Sequence, residues 1–370
     1  MLPFIRSDLA QLTTYKADPE GSERPPTQGR VDRLDTNECP YDLPPDLKRS
    51  LSDLYQTQIE ANRYPNGDHR ALKQAIAAYA SEALAGDLDA QWISVGNGSD
   101  ELIRSVLMAT CLGGEGSVLV AQPTFSMYAI LAKTLGIPVV SVNRTPSFAI
   151  DLAAAQQALT APHHPPIRVV FVVHPNSPTA NPLTSSEVEW LESLPEEVLV
   201  VVDEAYFEFS QQTLIAQVLQ RPNWMILRTF SKAFRLAAHR VGYGVAHPEI
   251  ITTLEKLRLP YNLTALSLAA AELAMDHRHR LLEAIPGLLT ERDNLLMQIK
   301  SLPHLKVWPS AANFIYAQAQ TLAQSEQIHQ AMQQQGTSIR FTGGGLRITV
   351  GSPPENQRTW ERLRQLMPSC

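Results

Sequence analysis

The sequence predicts an α/β fold: a large domain on a mainly parallel central sheet flanked by helices, then a smaller α+β C-terminal domain. Three observations lead there. Short apolar runs are continuous rather than alternating, as in strands covered on both faces. They are interleaved with amphipathic helical patterns, as parallel strands require. The residues richest in chemistry stand where those runs end, the edge at which open α/β sheets bind ligands.

Residues 1–45 are rich in proline and charge and read as an N-terminal arm rather than a packed layer. Residues 71–85 carry helical periodicity. The runs 117–120, 137–142, 167–173, 198–202 and 224–227 are apolar and read as buried strands. Residues 264–301 read as helical, with Pro286-Gly287 marking a break or kink. The C-terminal strands are expected at 306–308, 313–317 and 346–350, with a Gln-rich helix over 323–335. The domain expectation is an arm over 1–45, a large domain over 46–270 and a small domain over 271–370.

A chain of 370 residues, 44% hydrophobic and 18% charged, can bury a substantial core and is not disordered. Its net charge of −6, without a long basic run, argues against non-specific nucleic-acid binding. No apolar run approaches the roughly 20 residues of a membrane helix, and the N-terminus lacks a signal-peptide core. Cys39, Cys111 and Cys370 are scattered, giving neither a disulfide framework nor a metal-ligand spacing. His163-His164 and His277-Arg278-His279 lack companion ligands, so no metal is expected. A soluble, cytoplasmic protein is the expectation.

Val95-Gly96-Asn97-Gly98-Ser99-Asp100 places small residues before a helical pattern, where backbone N–H groups and the positive dipole end bind phosphate. Such a start also serves as an ordinary cap. Arg240 and the hydroxyls of Thr229 and Ser231 would complete an anion cage. Asp203 ends an apolar run, where its carboxylate would keep a pyridinium nitrogen protonated; alone, it would read as a helix cap. Tyr206 and Asn176 would hydrogen-bond a phenolate oxygen, although a Pro-Asn-Ser-Pro stretch by itself is a turn. Lys232 supplies an amine able to link to an aldehyde and carry a proton. Each motif is ambiguous singly. Together, at strand ends, they are the parts needed to hold pyridoxal 5'-phosphate. His174 reads as structural, because the lysine already supplies the proton shuttle.

The order Asn37-Glu38-Cys39-Pro40, Arg63-Tyr64-Pro65, Gly96-Asn97-Gly98-Ser99-Asp100-Glu101, Pro123-Thr124-Phe125-Ser126-Met127-Tyr128, Asp203-Glu204-Ala205-Tyr206, Ser231-Lys232-Ala233-Phe234 and Leu346-Arg347-Ile348-Thr349-Val350-Gly351 resembles the histidinol-phosphate aminotransferase family. The likeness runs from about residue 8 to residue 351. It implies the fold of the fold-type I pyridoxal-phosphate enzymes, and transamination between L-histidinol phosphate and 2-oxoglutarate in histidine biosynthesis. By the resemblance, Lys232 is the cofactor-linking lysine and Asp203 the pyridinium partner. Asn176 and Tyr206 are the phenolate partners. Ser99, Asp100, Thr229, Ser231 and Arg240 bind the cofactor phosphate, and Tyr128 stacks on the ring. Tyr64 reaches the cofactor phosphate of the neighbouring subunit, implying a homodimer with shared sites. Asn37 belongs with the substrate residues, Arg347 grips the substrate α-carboxylate, and Arg340 with Tyr15 takes the substrate phosphate. Small-molecule substrates are implied, an amino donor and a 2-oxo acid.

Related readings share these residues: an aromatic amino-acid aminotransferase and threonine-phosphate decarboxylase. A cofactor-sensing regulator is a further class, but residues 1–45 are too short and proline-rich for a helix-turn-helix module. The chain also departs from the family pattern. Ser177-Pro178-Thr179-Ala180 stands where Asn-Pro-Thr-Gly is usual, so Ala180 would be strained if that position needs a positive φ. Ala238-His239 replaces a common Gly-Leu, and Cys39 a common Asn.

Overall fold

The computed structural model describes residues 2, 4–12 and 31–367. Thirteen strands occur among them: β1 (Asp32–Arg33), β2 (Ile93–Asn97), β3 (Ser117–Gln122), β4 (Val139–Asn143), β5 (Ile167–Val173), β6 (Leu199–Asp203), β7 (Trp224–Thr229), β8 (Val241–Ala246), β9 (Leu305–Val307), β10 (Phe314–Ala319), β11 (Thr337–Ser338), β12 (Arg340–Thr342) and β13 (Gly345–Thr349). Seven of them form the central sheet, in the order β2-β8-β7-β6-β5-β3-β4. Only β8 runs against the rest, pairing antiparallel with β2 and β7. The C-terminal ends of β2, β5, β6 and β7 therefore share one edge.

Continuous apolarity has the expected cause: alternate residues of each strand serve different cores. Val200, Val202 and Ile226 pack into one hydrophobic cluster, while Val201, Met225 and Leu227 pack into another on the opposite face. The five expected strands of the central sheet are present. Two more, β2 and β8, are too diluted by glycine to read as apolar runs. Gly242 is required where it stands. A Cβ there would lie 2.4 Å from the Ser99 amide nitrogen, so its absence lets β8 approach the helix Gly98–Thr110.

The C-terminal unit is a four-stranded antiparallel sheet, order β12-β13-β10-β9, covered by helices Leu322–Gln334 and Ile285–Lys300, with Pro353–Leu366 packed against both helices. Residues 32–37, expected within the arm, are packed instead. β1 pairs in parallel with β11, and Leu34 enters the C-terminal core. Buried Asp32 explains the anchoring, since Arg358 donates to it at 2.9 and 2.5 Å and Arg362 at 2.8 Å. The expected boundary at 270 falls inside the helix Ala265–Asp276, whose Ala270, Ala271 and Ala274 pack against the large sheet. The change of core occurs along the helix Ile285–Lys300: Ile285 and Leu288 belong to the large unit, Leu295 and Ile299 to the small one. Pro286 starts that helix rather than kinking it, because the first turn has no amide partner to lose. Among the described residues no helix is long and apolar enough to cross a membrane.

Candidate active site

A cavity of 490 Å³ opens at the C-terminal edge of the central sheet. Asp203 enters from the end of β6, and Thr229, Ser231 and Lys232 from the end of β7. Ser99 and Asp100 enter from the first turn of Gly98–Thr110, and Arg340 and Arg347 from β12 and β13 of the C-terminal unit. Asn37 and Tyr206 close one wall.

On one side the donors suit a phosphate. Arg240 contacts Ser231 Oγ at 3.2 Å and Asp100 Oδ2 at 3.4 Å, and Gly98 donates its N–H to the Arg240 carbonyl at 2.7 Å. Gly98 has φ +70, and a Cβ there would meet Arg240 Nη2 at 2.6 Å. Glycine thus lets the guanidinium lie across the helix start, where amides and charge act on the same anion. Opposite this cradle stands a carboxylate. Asp203 Oδ1 accepts from the Ala205 amide at 3.1 Å, and Tyr128 donates to Oδ2 at 2.8 Å. Burial raises the Asp203 pKa to about 6, against the stabilising bonds from Tyr128 and Ala205. The Lys232 ammonium donates to the Thr36 carbonyl at 2.7 Å. Burial, seconded by Arg347, lowers the Lys232 pKa to about 8, so near neutrality the amine is mainly protonated but carries a far larger uncharged fraction than an ordinary lysine. Amine, carboxylate and anion cradle in one cavity fit a phosphorylated pyridine aldehyde.

Ser99, Asp100, Asp203, Tyr206, Thr229, Ser231, Lys232, Arg240, Asn37, Arg340 and Arg347 all line this cavity, as the sequence places them. Others do not. Asn176 is a correction: it is buried, its Oδ1 accepts from Thr124 and Arg144 at 3.1 Å, and its Nδ2 donates to Pro123 and Thr179. Its amide knits the turn together. The next residue, Ser177, lines the cavity instead, in hydrogen-bond contact with Tyr206 and 3.2 Å from Arg347 Nη1.

Tyr128 is likewise a correction. It is fully buried, stacked on Phe171 with ring centroids 4.6 Å apart, and faces Asp203 from behind. Phe125, three residues earlier in the same motif, faces the cavity. In both cases the residue that turns inward, Ser177 or Phe125, lies in an irregular segment, where periodicity cannot reveal it. Tyr64 lies away from the cavity, 80% exposed and stacked on Tyr261 at 4.5 Å. Tyr15 lies outside the described residues. Asn37 donates to the Tyr206 hydroxyl at 2.8 Å, so its amide positions that phenol. His174 is buried and accepts the Leu183 amide through Nδ1 at 3.0 Å, a structural role. Ala180 has φ 63, the left-handed backbone anticipated for its position. No group of metal-ligating side chains occurs among the described residues.

Comparisons with known proteins agree with this geometry. The family model of aminotransferase class I and II matches residues 31–363. Histidinol-phosphate aminotransferase 2 of Nostoc sp. is 59% identical, over 98% of this chain and 97% of its own length. The histidinol-phosphate aminotransferase of Trichodesmium erythraeum is 56% identical, over 98% and 99%. Among solved structures, histidinol-phosphate aminotransferase from Sinorhizobium meliloti, in complex with pyridoxal-5'-phosphate, superposes with a TM-score of 0.85 over 99% of both chains, at 22% identity. A lysine and an aspartate facing a phosphate cradle, on a sheet of this order, are what such a relationship requires, and this chain belongs to the histidinol-phosphate aminotransferases of aminotransferase class I and II.

Proposed function

We propose that the chain transfers the amino group of L-histidinol phosphate to 2-oxoglutarate, giving imidazole acetol phosphate and L-glutamate, with pyridoxal 5'-phosphate as cofactor. The observation that carries this reading is the meeting of Lys232, Asp203 and the Ser99–Arg240 cradle, with Arg340 and Arg347 on the facing unit. When bound, the cofactor supplies an aldehyde that receives the amino group and a ring that withdraws electrons.

The side chains provide the rest. Ser99, Asp100, Thr229, Ser231 and Arg240 would hold the cofactor phosphate, and Phe125 would lie against the ring. Asp203, ionised above its pKa of about 6, would hold a proton on the ring nitrogen. The hydroxyls of Tyr206 and Ser177 would donate to the phenolate oxygen. Lys232 would hold the cofactor through its aldehyde carbon, and its Nζ would be the group that moves the substrate Cα proton. Arg347, its planar fork suited to carboxylates, would grip the α-carboxylate of glutamate, and Arg340 the phosphate of histidinol phosphate. One cavity serves both half-reactions, so ping-pong kinetics follow.

A homodimer and a cytoplasmic location belong to the same proposal. Tyr64 shares a groove with exposed Tyr55, Tyr261 and Leu266, an apolar surface suited to a second copy, from which Tyr64 would reach the partner's phosphate cradle. Sedimentation of the purified chain tests this, and a monomer at micromolar concentration refutes it. For the substrate, the cofactor-loaded protein is mixed separately with histidinol phosphate, phenylalanine and threonine phosphate. Fast absorbance change with histidinol phosphate and slow change with the others supports the assignment. Equal or faster change with phenylalanine overturns the substrate and keeps the aminotransferase.

A further inference from the structure

Directly behind the cavity, on the opposite face of the sheet, lies an ion pair that the reaction does not touch. Glu204 follows Asp203 and Arg228 precedes Thr229, so both side chains project away from the cavity. They are 0% and 1% exposed. Arg228 donates to Glu204 Oε2 through Nε at 3.0 Å and Nη2 at 2.8 Å. Thr213 bridges the two, the Leu214 amide donates to Glu204 Oε1 at 2.7 Å, and the guanidinium lies 3.7 Å from the centroid of the Phe207 ring. The backbone ladder also continues here, with the Glu204 amide bonded to the Leu227 carbonyl at 2.7 Å.

We propose that Glu204 and Arg228 are positioning residues for the reaction: the pair fixes the ends of β6 and β7, and hence Asp203 relative to Lys232, while each charge cancels the other's field at Asp203. A buried pair is poor evidence of stability, because desolvation offsets its attraction. Its placement is better explained by geometry. Asp203 ends β6 and Lys232 stands three residues past the end of β7; the pair is a side-chain bridge between those strand ends, one residue from Asp203 and four from Lys232. The charge matters too: Glu204 and Asp100 both disfavour ionisation of Asp203, and the Glu204 carboxylate is held by a guanidinium of opposite charge. Other titratable groups facing the pair are Glu208, Tyr79 and Tyr243 on the rear face and His174 beyond the strand ends; Tyr128, buried outside the cavity, bonds to Asp203 itself.

The test is a pH titration of the absorbance of the cofactor-loaded chain, with kcat and KM for glutamate, in the native protein, Glu204→Gln and Glu204→Gln/Arg228→Met. Glu204→Gln leaves Arg228 uncompensated behind the cavity and lowers the absorbance midpoint by about one pH unit. The double variant removes both charges and returns the midpoint to within about 0.3 unit, while kcat falls about tenfold in both variants at unchanged KM. Native midpoints with native kcat in both variants would overturn the proposal and leave the pair a fold element. Should Glu204→Gln fail to fold, Glu204→Asp decides: it keeps the charge but shortens the reach, so an unmoved midpoint with lowered kcat supports the proposal and an unmoved kcat sinks it. The inference rests on the cofactor reading. A native chain lacking any cofactor absorbance overturns both, whereas a native band unmoved in the variants overturns this one alone.

Discussion

Arg228 and Arg240 flank the same stretch of β7 and β8, yet they live in opposite conditions. Arg228, on the rear face, is buried and held at 2.8–3.0 Å by a carboxylate and a hydroxyl. Arg240, on the cavity face, is half exposed, and its contacts with Ser231 and Asp100 lie at 3.2 and 3.4 Å. The rear cation is engaged by the fold through Nε and Nη2; the front one has hydrogen-bonding capacity for a ligand. Between these two arginines, the shorter contacts belong to the scaffold and the longer ones to the cavity.

The contrast can be broken in several ways. The largest effect belongs to Lys232→Ala, expected to lower kcat on the order of 10⁴-fold, since positioned acid–base groups contribute up to that much. Steady-state assay with glutamate measures it, and full turnover would dismiss the mechanism. Next comes the arginine pair itself. Arg228→Met leaves Glu204 buried without its partner and should cost about 3–5 kcal/mol of stability. Arg240→Met should leave the melting of the cofactor-free chain nearly unchanged. It should weaken cofactor binding roughly 10–100-fold, the loss of one charged hydrogen-bonding partner. Equal melting temperatures for the two variants would erase the distinction.

A pH experiment sharpens the comparison from the cavity side. Burial lowers Lys232 from the ordinary 10.5 to about 8, so the uncharged amine gains population as pH rises through about 8. Capture of the cofactor aldehyde by the cofactor-free chain should accelerate over that window. A midpoint near that of an unburied lysine would mean that desolvation does not govern the amine. The smallest expected effect is at Ala180. Glycine there relieves about 1–2 kcal/mol of left-handed strain, but loses a buried methyl and loosens the unfolded chain by about 1–2 kcal/mol in sum. Chemical denaturation of Ala180→Gly should therefore give a stability close to that of the parent.

How much of this could be read in advance differs between strand ends and turns. Asp203 and Lys232 were legible because each stands where an apolar run stops, and sheet geometry dictates where such residues point. Ser177 and Phe125 were not, because each lies in an irregular segment where a neighbouring polar or aromatic residue competes for the inward position. Asn176 offers the more suggestive side chain, but Thr124, Arg144 and Thr179 engage it elsewhere. β2 and β8 escaped notice for another reason: the glycines that let Gly98–Thr110 approach the sheet also erase the apolar signal. The packing of residues 32–37 depends on Arg358 and Arg362, far away in sequence, and nothing local announces it.

That short segment does more than close a gap. It is bolted to the last helix through Asp32 and seated in the C-terminal core through Leu34. Its next carbonyls receive Arg347 at Asp35 and Lys232 at Thr36, and its Asn37 holds Tyr206. A tilt of the C-terminal sheet would pull this tether and shift the carbonyl that holds the lysine ammonium. Such a movement would reach the amine directly, with residues 32–37 as its crankshaft.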